Sequence, residues 1–259
     1  MPKRNFELKK LYFIVIFLFF VITTTFANGI MDTPNIPDTP DTPGQEYDDE
    51  SDFLVARNIF DGGRSLIITS YVGARQTVRI PSQIQGVPVS SIGRDAFRNR
   101  EIIDVTIPNG VFSIHSSAFE GNQLTNIIIP DTVALIGQSA FRDNQLVSVT
   151  IPTGVRTIEG FAFERNRLTS VTIPIGVTRI EIAAFQSNRL TSVTIPIGVT
   201  TIGDAAFHGN RLTSVTIPNS VTTIGRGAFS GNELTSVTIP PRIQFNRDAF
   251  DSNVTILRQ

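Results

Sequence analysis

The residues best suited to binding chemistry are three arginines that recur at a fixed interval. Arg167, Arg189 and Arg211 are each 22 residues apart, and the equivalent positions on either side carry Gln or Glu. If each interval forms one turn of a stacked structure, neighbouring guanidinium groups lie about 5 Å apart. Like charges at that spacing repel unless solvated or countered, so the row suits a sulfated glycan or an acidic protein segment. The alternative is a duplicated, solvated charge without a partner.

Hydroxyl side chains follow each arginine in the repeated sequence Leu-Thr-Ser-Val-Thr-Ile. We expect the Leu, Val and Ile to point inward. In an extended strand the Val and Ile share one face, while the Ser and the second Thr point to the other. The strands therefore predict a flat polar face of near-identical groups, and a catalytic site needs unlike groups that converge. We predict a non-enzymatic protein without a cofactor or metal. The candidate contact residues besides the arginines are Ser170, Thr172, Ser192, Thr194, Ser214 and Thr216.

The remaining titratable residues offer weaker chemistry. Glu159 and Glu181 occupy equivalent positions in adjacent repeats, so their carboxylates could approach within about 5 Å. Paired carboxylates can bind a cation or cleave a glycoside. Exposure on a turn beside arginines is the simpler interpretation. His115 and His208 are more than four repeats apart and cannot share a metal or a triad. The chain has 0 Cys, which excludes disulfides and thiolate sites.

These residues are positioned by a sequence repeat with a period of 22. Such a period indicates a solenoid, in which each repeat stacks on its neighbours. We expect strands at Leu-Thr-Ser-Val-Thr-Ile and at Val-x-x-Ile, a helical turn at Ala-Phe, and stacked aromatic rings packed offset or edge-on. The recurring phenylalanines are Phe97, Phe119, Phe141, Phe163, Phe185, Phe207, Phe229 and Phe250.

A second recurring position carries asparagine. A buried amide must be hydrogen-bonded, so an inward ladder that serves the backbone of adjacent turns is self-consistent. The alternative is a series of solvent-exposed turns. The column runs through Asn122, Asn144, Asn166, Asn188, Asn210, Asn232 and Asn253.

The N-terminal third differs in composition from the repeats. Residues 1–27 contain a basic start, an apolar run from Leu11 to Ile22 and Thr-Phe-Ala, which predicts a secretory signal peptide, with an uncleaved anchor as the alternative. Residues 28–52 form an acidic, proline-rich linker. Residues 53–80 contain two apolar runs around Asp61-Gly62-Gly63 and predict a β-hairpin cap. Residues 81–259 form the solenoid, with a closing strand near Val254–Leu257.

The motifs LTSVTIP, V-T-x-I-G and Ala-Phe followed by Asn-x-Leu resemble the BspA-like, or Treponema pallidum-type, leucine-rich repeats of bacterial surface proteins. The resemblance covers about 53–259. Two features depart from it, because repeats of this family often have 23 residues and many carry Cys where this chain has Asn. The family implies a curved, right-handed solenoid with a parallel sheet on its concave side. It also implies surface or secreted adhesins that bind host matrix proteins, epithelial cells or other bacteria.

Together these features predict an adhesin-like protein that binds a protein or glycan ligand, including host matrix components. The alternative is a periplasmic scaffold without a host ligand. A glycan-active enzyme would need a constellation that the sequence does not display. Nucleic acid is a poor partner for an exported chain with a formal net charge of -1, and a membrane contact is expected only through the export signal.

Overall fold

The computed structural model describes residues 47–241 and 243–258. The predicted signal peptide and most of the predicted linker lie outside these ranges. The described chain is built from short strands and three short 3-10 helices, at Glu50–Asp52, Ile59–Asp61 and Arg247–Ala249. The strands are β1 (Phe53–Arg57), β2 (Leu66–Tyr71), β3 (Thr77–Arg79), β4 (Gln83–Ile84), β5 (Val87–Ile92), β6 (Asp104–Thr106), β7 (Ser113–Ile114), β8 (Leu135–Ile136), β9 (Ser148–Thr150), β10 (Thr157–Ile158), β11 (Ser170–Thr172), β12 (Arg179–Ile180), β13 (Thr201–Ile202), β14 (Thr223–Ile224), β15 (Ser236–Ile239), β16 (Gln244–Phe245) and β17 (Thr255–Arg258).

Parallel pairing between equivalent residues of successive repeats confirms the predicted leucine-rich-repeat solenoid. The Val-x-x-Ile segments give the longer ladders, in the order β5-β7-β8 and then β10-β12-β13-β14-β16. Their register follows the repeat, since Ile158 pairs with Ile180 and Ile180 with Ile202. One repeat of the sequence is therefore one coil of the structure.

The Leu-Thr-Ser-Val-Thr-Ile segments pair less regularly than their β propensity indicates. Regular pairing is confined to β3 with β6, β9 with β11 and β15 with β17, while single bridges join Thr194 to Thr216 and Thr216 to Thr238. Each segment is followed by a proline, which has no N–H to continue a ladder. Contact between coils is kept by single backbone hydrogen bonds, for example from the N–H of Arg189 to the carbonyl of Leu168 at 2.9 Å.

The N-terminal cap is the predicted hairpin, with β1 antiparallel to β2 and β2 parallel to β5. Asp48, which the sequence places in the linker, packs against this cap. Its buried carboxylate accepts a hydrogen bond from the N–H of Arg79 and lies 3.5 Å from the Arg75 guanidinium. The packed region therefore includes residues before Phe53.

The aromatic column from Phe97 to Phe250 forms the centre of the solenoid. Successive ring centroids are 5.0 to 5.6 Å apart and ring planes differ by 4° to 16°. Near-parallel rings at that separation must be laterally offset, which is the favourable geometry. Of the two predicted arrangements, the offset one holds along the column. Tyr71 of the cap extends the stack, with its ring 5.4 Å from that of Phe97.

The Ala-Phe segment forms a turn in most coils, and only Arg247–Ala249 is a 3-10 helix. The turn reverses sharply because two of its positions adopt the left-handed conformation. Ala183 and Ser187 show this in one coil, with φ of 53° and 56°, and the equivalent positions in other coils behave alike. L-residues pay for this conformation with about 1–2 kcal/mol each, so the turn geometry is maintained by packing and hydrogen bonds rather than by local preference.

Candidate binding surface

The asparagine column fixes the start of each Leu-Thr-Ser-Val-Thr-Ile segment that carries candidate residues. In the central coils, the amide oxygen of Asn166 accepts from the N–H of Leu146 at 3.0 Å. Its amide nitrogen donates to the carbonyls of Phe141 and Phe163 at 2.9 and 3.2 Å. Each such asparagine therefore joins two coils immediately before the position that carries Gln, Arg or Glu.

The inward ladder is the correct interpretation from Asn122 to Asn232 and is wrong for Asn253. Asn122 to Asn210 are buried and Asn232 is half-buried, all with side-chain hydrogen bonds to backbone groups. Asn253 is exposed, as in a solvent turn. In the first coil, where Arg100 replaces asparagine, the N–H of Arg100 donates to the Asn122 side chain at 3.1 Å.

The three arginines lie side by side on consecutive coils, and we call them the Arg row. Their backbone N–H groups donate to the carbonyls of Leu146, Leu168 and Leu190 of the preceding coils at 2.9 to 3.0 Å. All three residues are exposed. Within the described part of the chain, no ion pair to an acidic side chain involves Arg167, Arg189 or Arg211.

The positive charges of the Arg row repel one another, and the free-energy cost of this repulsion is modest. Two unit charges 5 Å apart in bulk water repel by about 0.8 kcal/mol, and flexible side chains reduce this by splaying apart. An anion placed over the row would relieve the repulsion while gaining charge-assisted hydrogen bonds. The arrangement is thus suited to recognition of an extended anion.

The hydroxyl residues beside the row form the predicted polar surface, which we call the Ser/Thr face. Ser170 and Thr172 are exposed, whereas Val171 between them is partly buried against the core. The same alternation holds in the next two coils, where Val193 and Val215 are buried. The exposed members in those coils are Ser192, Thr194, Ser214 and Thr216.

A second electrostatic feature, the charge column, was not predicted from the sequence. It consists of the residues that directly follow the stacked phenylalanines, and its first four members alternate in sign. Arg98 contacts Glu120 at 3.2 Å, and Arg142 contacts Glu164 at 2.7 Å. Further along, the Nδ1 atom of His208 lies 2.8 Å from a serine hydroxyl in the next coil. Each of the two ion pairs joins successive coils, and its acid, Glu120 or Glu164, is buried.

The Arg142–Glu164 pair is an ion pair rather than an aligned hydrogen bond. The Nε and Oε2 atoms approach closely, yet neither has a hydrogen-bond partner of good geometry. Arg165 adds a second contact to Glu164 at 3.7 Å, and Arg142 also lies 5.7 Å from the centre of the Phe161 ring. This cluster joins two successive coils by charge contacts. An alternating Arg, Glu, Arg, Glu pattern with the period of the repeat is the sequence signal that indicates it.

The paired carboxylates occupy neighbouring coils, as expected. Burial raises the pKa of Glu159, the Glu181 carboxylate raises it further, and Arg179 opposes both. Glu181 is itself paired with Arg179 at 2.7 Å. Over the described ranges, no cluster of three or more His, Asp or Glu side chains with the arrangement of a metal site is found. Exposure on a turn is the wrong interpretation, because Glu159 and Glu181 are both half-buried and lie directly after β10 and β12.

The two histidines lie in different columns, as expected. His115 borders a shallow hollow of about 330 Å³ together with Arg94 and Ser116. Burial, and then the charge of Arg94, lower the pKa of His115. His208 belongs to the charge column. Among residues 47–241 and 243–258, no helix is long and apolar enough to cross a membrane.

Comparison with known proteins identifies the class of repeat. The model of the BspA type leucine rich repeat region, in six copies, matches residues 76–191 and 178–257, which is well over half of the chain. The protein belongs to this family, whose repeat architecture suggests an interaction role and is typically non-enzymatic.

Solved structures of other bacterial proteins have a similar fold. A leucine-rich repeat protein of Treponema pallidum is similar at 28% identity, with a TM-score of 0.63, over 72% of this chain and 89% of the other. A leucine rich cell surface protein of Faecalibacterium prausnitzii shares the fold at 24% identity and a TM-score of 0.52, over 85% of this chain and 77% of its own. A leucine-rich repeat protein of Bacteroides ovatus also shares the fold, at 20% identity and a TM-score of 0.53, over 80% of this chain and 71% of its own. No curated protein sequence matches.

Proposed function

We propose that this protein is an exported, non-enzymatic, adhesin-like protein that binds an anionic protein segment or glycan through its repeat surface. The observation that carries the proposal is the Arg row, three exposed guanidinium groups on consecutive coils without an acidic partner among the described side chains. A ligand that extends along the solenoid axis would meet all three. Sulfated or carboxylated polymers and acidic peptide segments have this shape and charge.

The Ser/Thr face supplies the rest of the proposed contact. Its hydroxyls donate and accept hydrogen bonds, so they suit polar ligands without selecting one orientation. Each contact is weak, but equivalent contacts on successive coils act on one ligand and add through effective concentration. Host matrix components are among the ligands with suitable chemistry.

Export is the second part of the proposal. The basic and apolar start of the chain has the pattern of a secretory signal peptide. The Faecalibacterium protein with the same fold is described as a cell surface protein. Both observations favour a location on the surface or outside the cell, and protease treatment of intact cells distinguishes this from a periplasmic location.

The binding test compares two variants that remove the same charge from different surfaces. In the first variant, the three arginines of the Arg row are replaced by Ser. In the control, Arg94, Arg156 and Arg247, which are also exposed, are replaced by Ser. If each row contact contributes about 1 kcal/mol, the first variant loses affinity for heparin-like polymers or acidic peptides on the order of a hundredfold. It should also lose salt dependence. Equal affinities of the two variants would refute the proposed site.

A further inference from the structure

Strand β1 forms an open edge of the cap sheet. Among the described residues it pairs only with β2. The carbonyls of Asp52 and Leu54 and the N–H of Asn58 all point towards β2. Because alternate residues of a strand direct their backbone groups to opposite sides, Val55 and Arg57 direct theirs to the open side.

The edge is apolar and, within residues 47–241 and 243–258, lacks the usual protection. Leu54 and Val55 are 53% and 37% exposed, and Ile59 and Phe60 in the following turn are 79% and 90% exposed. Natural edge strands are commonly blocked by lysine, proline, a bulge or a covering segment. β1 contains neither lysine nor proline, and the irregularity in its pairing places the extra residue, Thr69, in β2. β1 itself is thus a regular strand that can accept another.

Charges flank the strand with opposite signs at its two ends. Asp49 and Asp52 precede it, while Arg57 ends it and Arg64 follows in the turn. A second copy laid antiparallel brings the acidic end of each strand against the basic end of the other, whereas a parallel copy brings like charges together. The strand is therefore complementary to itself in one orientation.

We propose that two copies of this protein pair through β1 in an antiparallel arrangement, with the two-fold axis at Val55. Val55 of each copy then exchanges two hydrogen bonds with its symmetry mate. The N–H of each Arg57 donates to the Phe53 carbonyl of the other copy, while the Phe53 N–H remains bonded to the carbonyl of Glu50 within its own chain. This isologous contact pairs both edges and gives a closed dimer rather than a fibre.

A single-cysteine variant tests the geometry directly, because the chain has 0 Cys of its own. Hydrogen-bonded antiparallel partners have Cα atoms about 5.5 Å apart, which lies within the range that a disulfide can span. In the chain from residue 28 onwards, Val55→Cys should oxidise to a disulfide-linked dimer. Thr213→Cys, exposed on a coil far from the cap, is the control. Cross-linking of Val55→Cys no greater than that of the control would overturn the proposal.

Sedimentation velocity tests the association without a cross-link. The unmodified chain should show twice the monomer mass with increasing concentration, and Val55→Thr, which keeps the N–H, should do the same. Val55→Pro removes the N–H at the axis, in an edge position that tolerates proline, and should remain monomeric with an unchanged circular dichroism spectrum. A monomeric unmodified chain at all concentrations, or a folded Val55→Pro dimer, would overturn the proposal. The Arg-row variant should dimerise normally, which separates this test from that of ligand binding.

Discussion

Replacing Phe163 by alanine should destabilise the solenoid more than almost any other single truncation. The ring is 0% exposed and lies between those of Phe141 and Phe185, at centroid distances of 5.5 and 5.6 Å. Burial of a phenylalanine side chain and the cavity left by its loss correspond to about 3–5 kcal/mol. Two ring contacts at about 0.5–1.5 kcal/mol each favour the upper half of that range.

The position in the array adds a second consequence. In a solenoid each coil contacts only its neighbours, so a defect at a central coil weakens the coupling between the two halves. Urea unfolding followed by circular dichroism should therefore show a lower midpoint and a broader or split transition. Thr172→Ala, an exposed substitution on the next strand, should change stability by no more than about 0.5 kcal/mol. Coincident midpoints for the two variants would refute the assignment of the aromatic column as the core.

Two further predictions concern polar side chains of the coils. Asn166→Leu should cost about 1–3 kcal/mol, because the buried N–H of Leu146 is left unpaired, while the carbonyl of Phe141 loses one of its two donors and keeps the Asn144 side chain. Asn253→Leu at an exposed position should be nearly neutral by urea midpoint, and equal losses would contradict the ladder. The pKa of Glu159 in the folded protein lies above its ordinary value of 4.5, so the folded state binds this proton more tightly than the unfolded state. The free energy of unfolding therefore falls as pH rises from 4.5 through the raised pKa. Glu159→Gln should therefore stabilise the protein at neutral pH and leave it unchanged at low pH, and a difference in unfolding free energy that is the same at both would contradict the raised pKa.

The repeated features of the fold could be predicted from the sequence because each is specified many times. A position that takes Phe in every coil is consistent only with the core. A strand that repeats Ser-Val-Thr is consistent only with Val on the buried face and the hydroxyls on the exposed face. The hairpin cap could also be predicted from the sequence, since Asp61-Gly62-Gly63 between two apolar runs is a local signal for a turn.

Features that occur once were not predictable in the same way. Tyr71 extends the aromatic column but lies 26 residues before Phe97, outside the period of 22. Asp48 is buried through a contact with Arg79, and nothing in the acidic composition around it indicates that one carboxylate packs while its neighbours do not. Both depend on tertiary contacts of the cap, which local patterns do not encode.

The Arg row shows why the fold is specified more fully than the ligand. Gln145 and Arg167 open equivalent strands, and each donates its N–H to the leucine carbonyl of the preceding coil at 2.9 and 3.0 Å. The backbone hydrogen bond is therefore the same at the two positions, and the side chain differs, half-buried at Gln145 and exposed at Arg167. A buried column must satisfy its neighbours in every coil, so its residue types are constrained by packing. An exposed column is free of that constraint, which is why a change confined to three adjacent coils can create a binding site without any change in the solenoid that carries it.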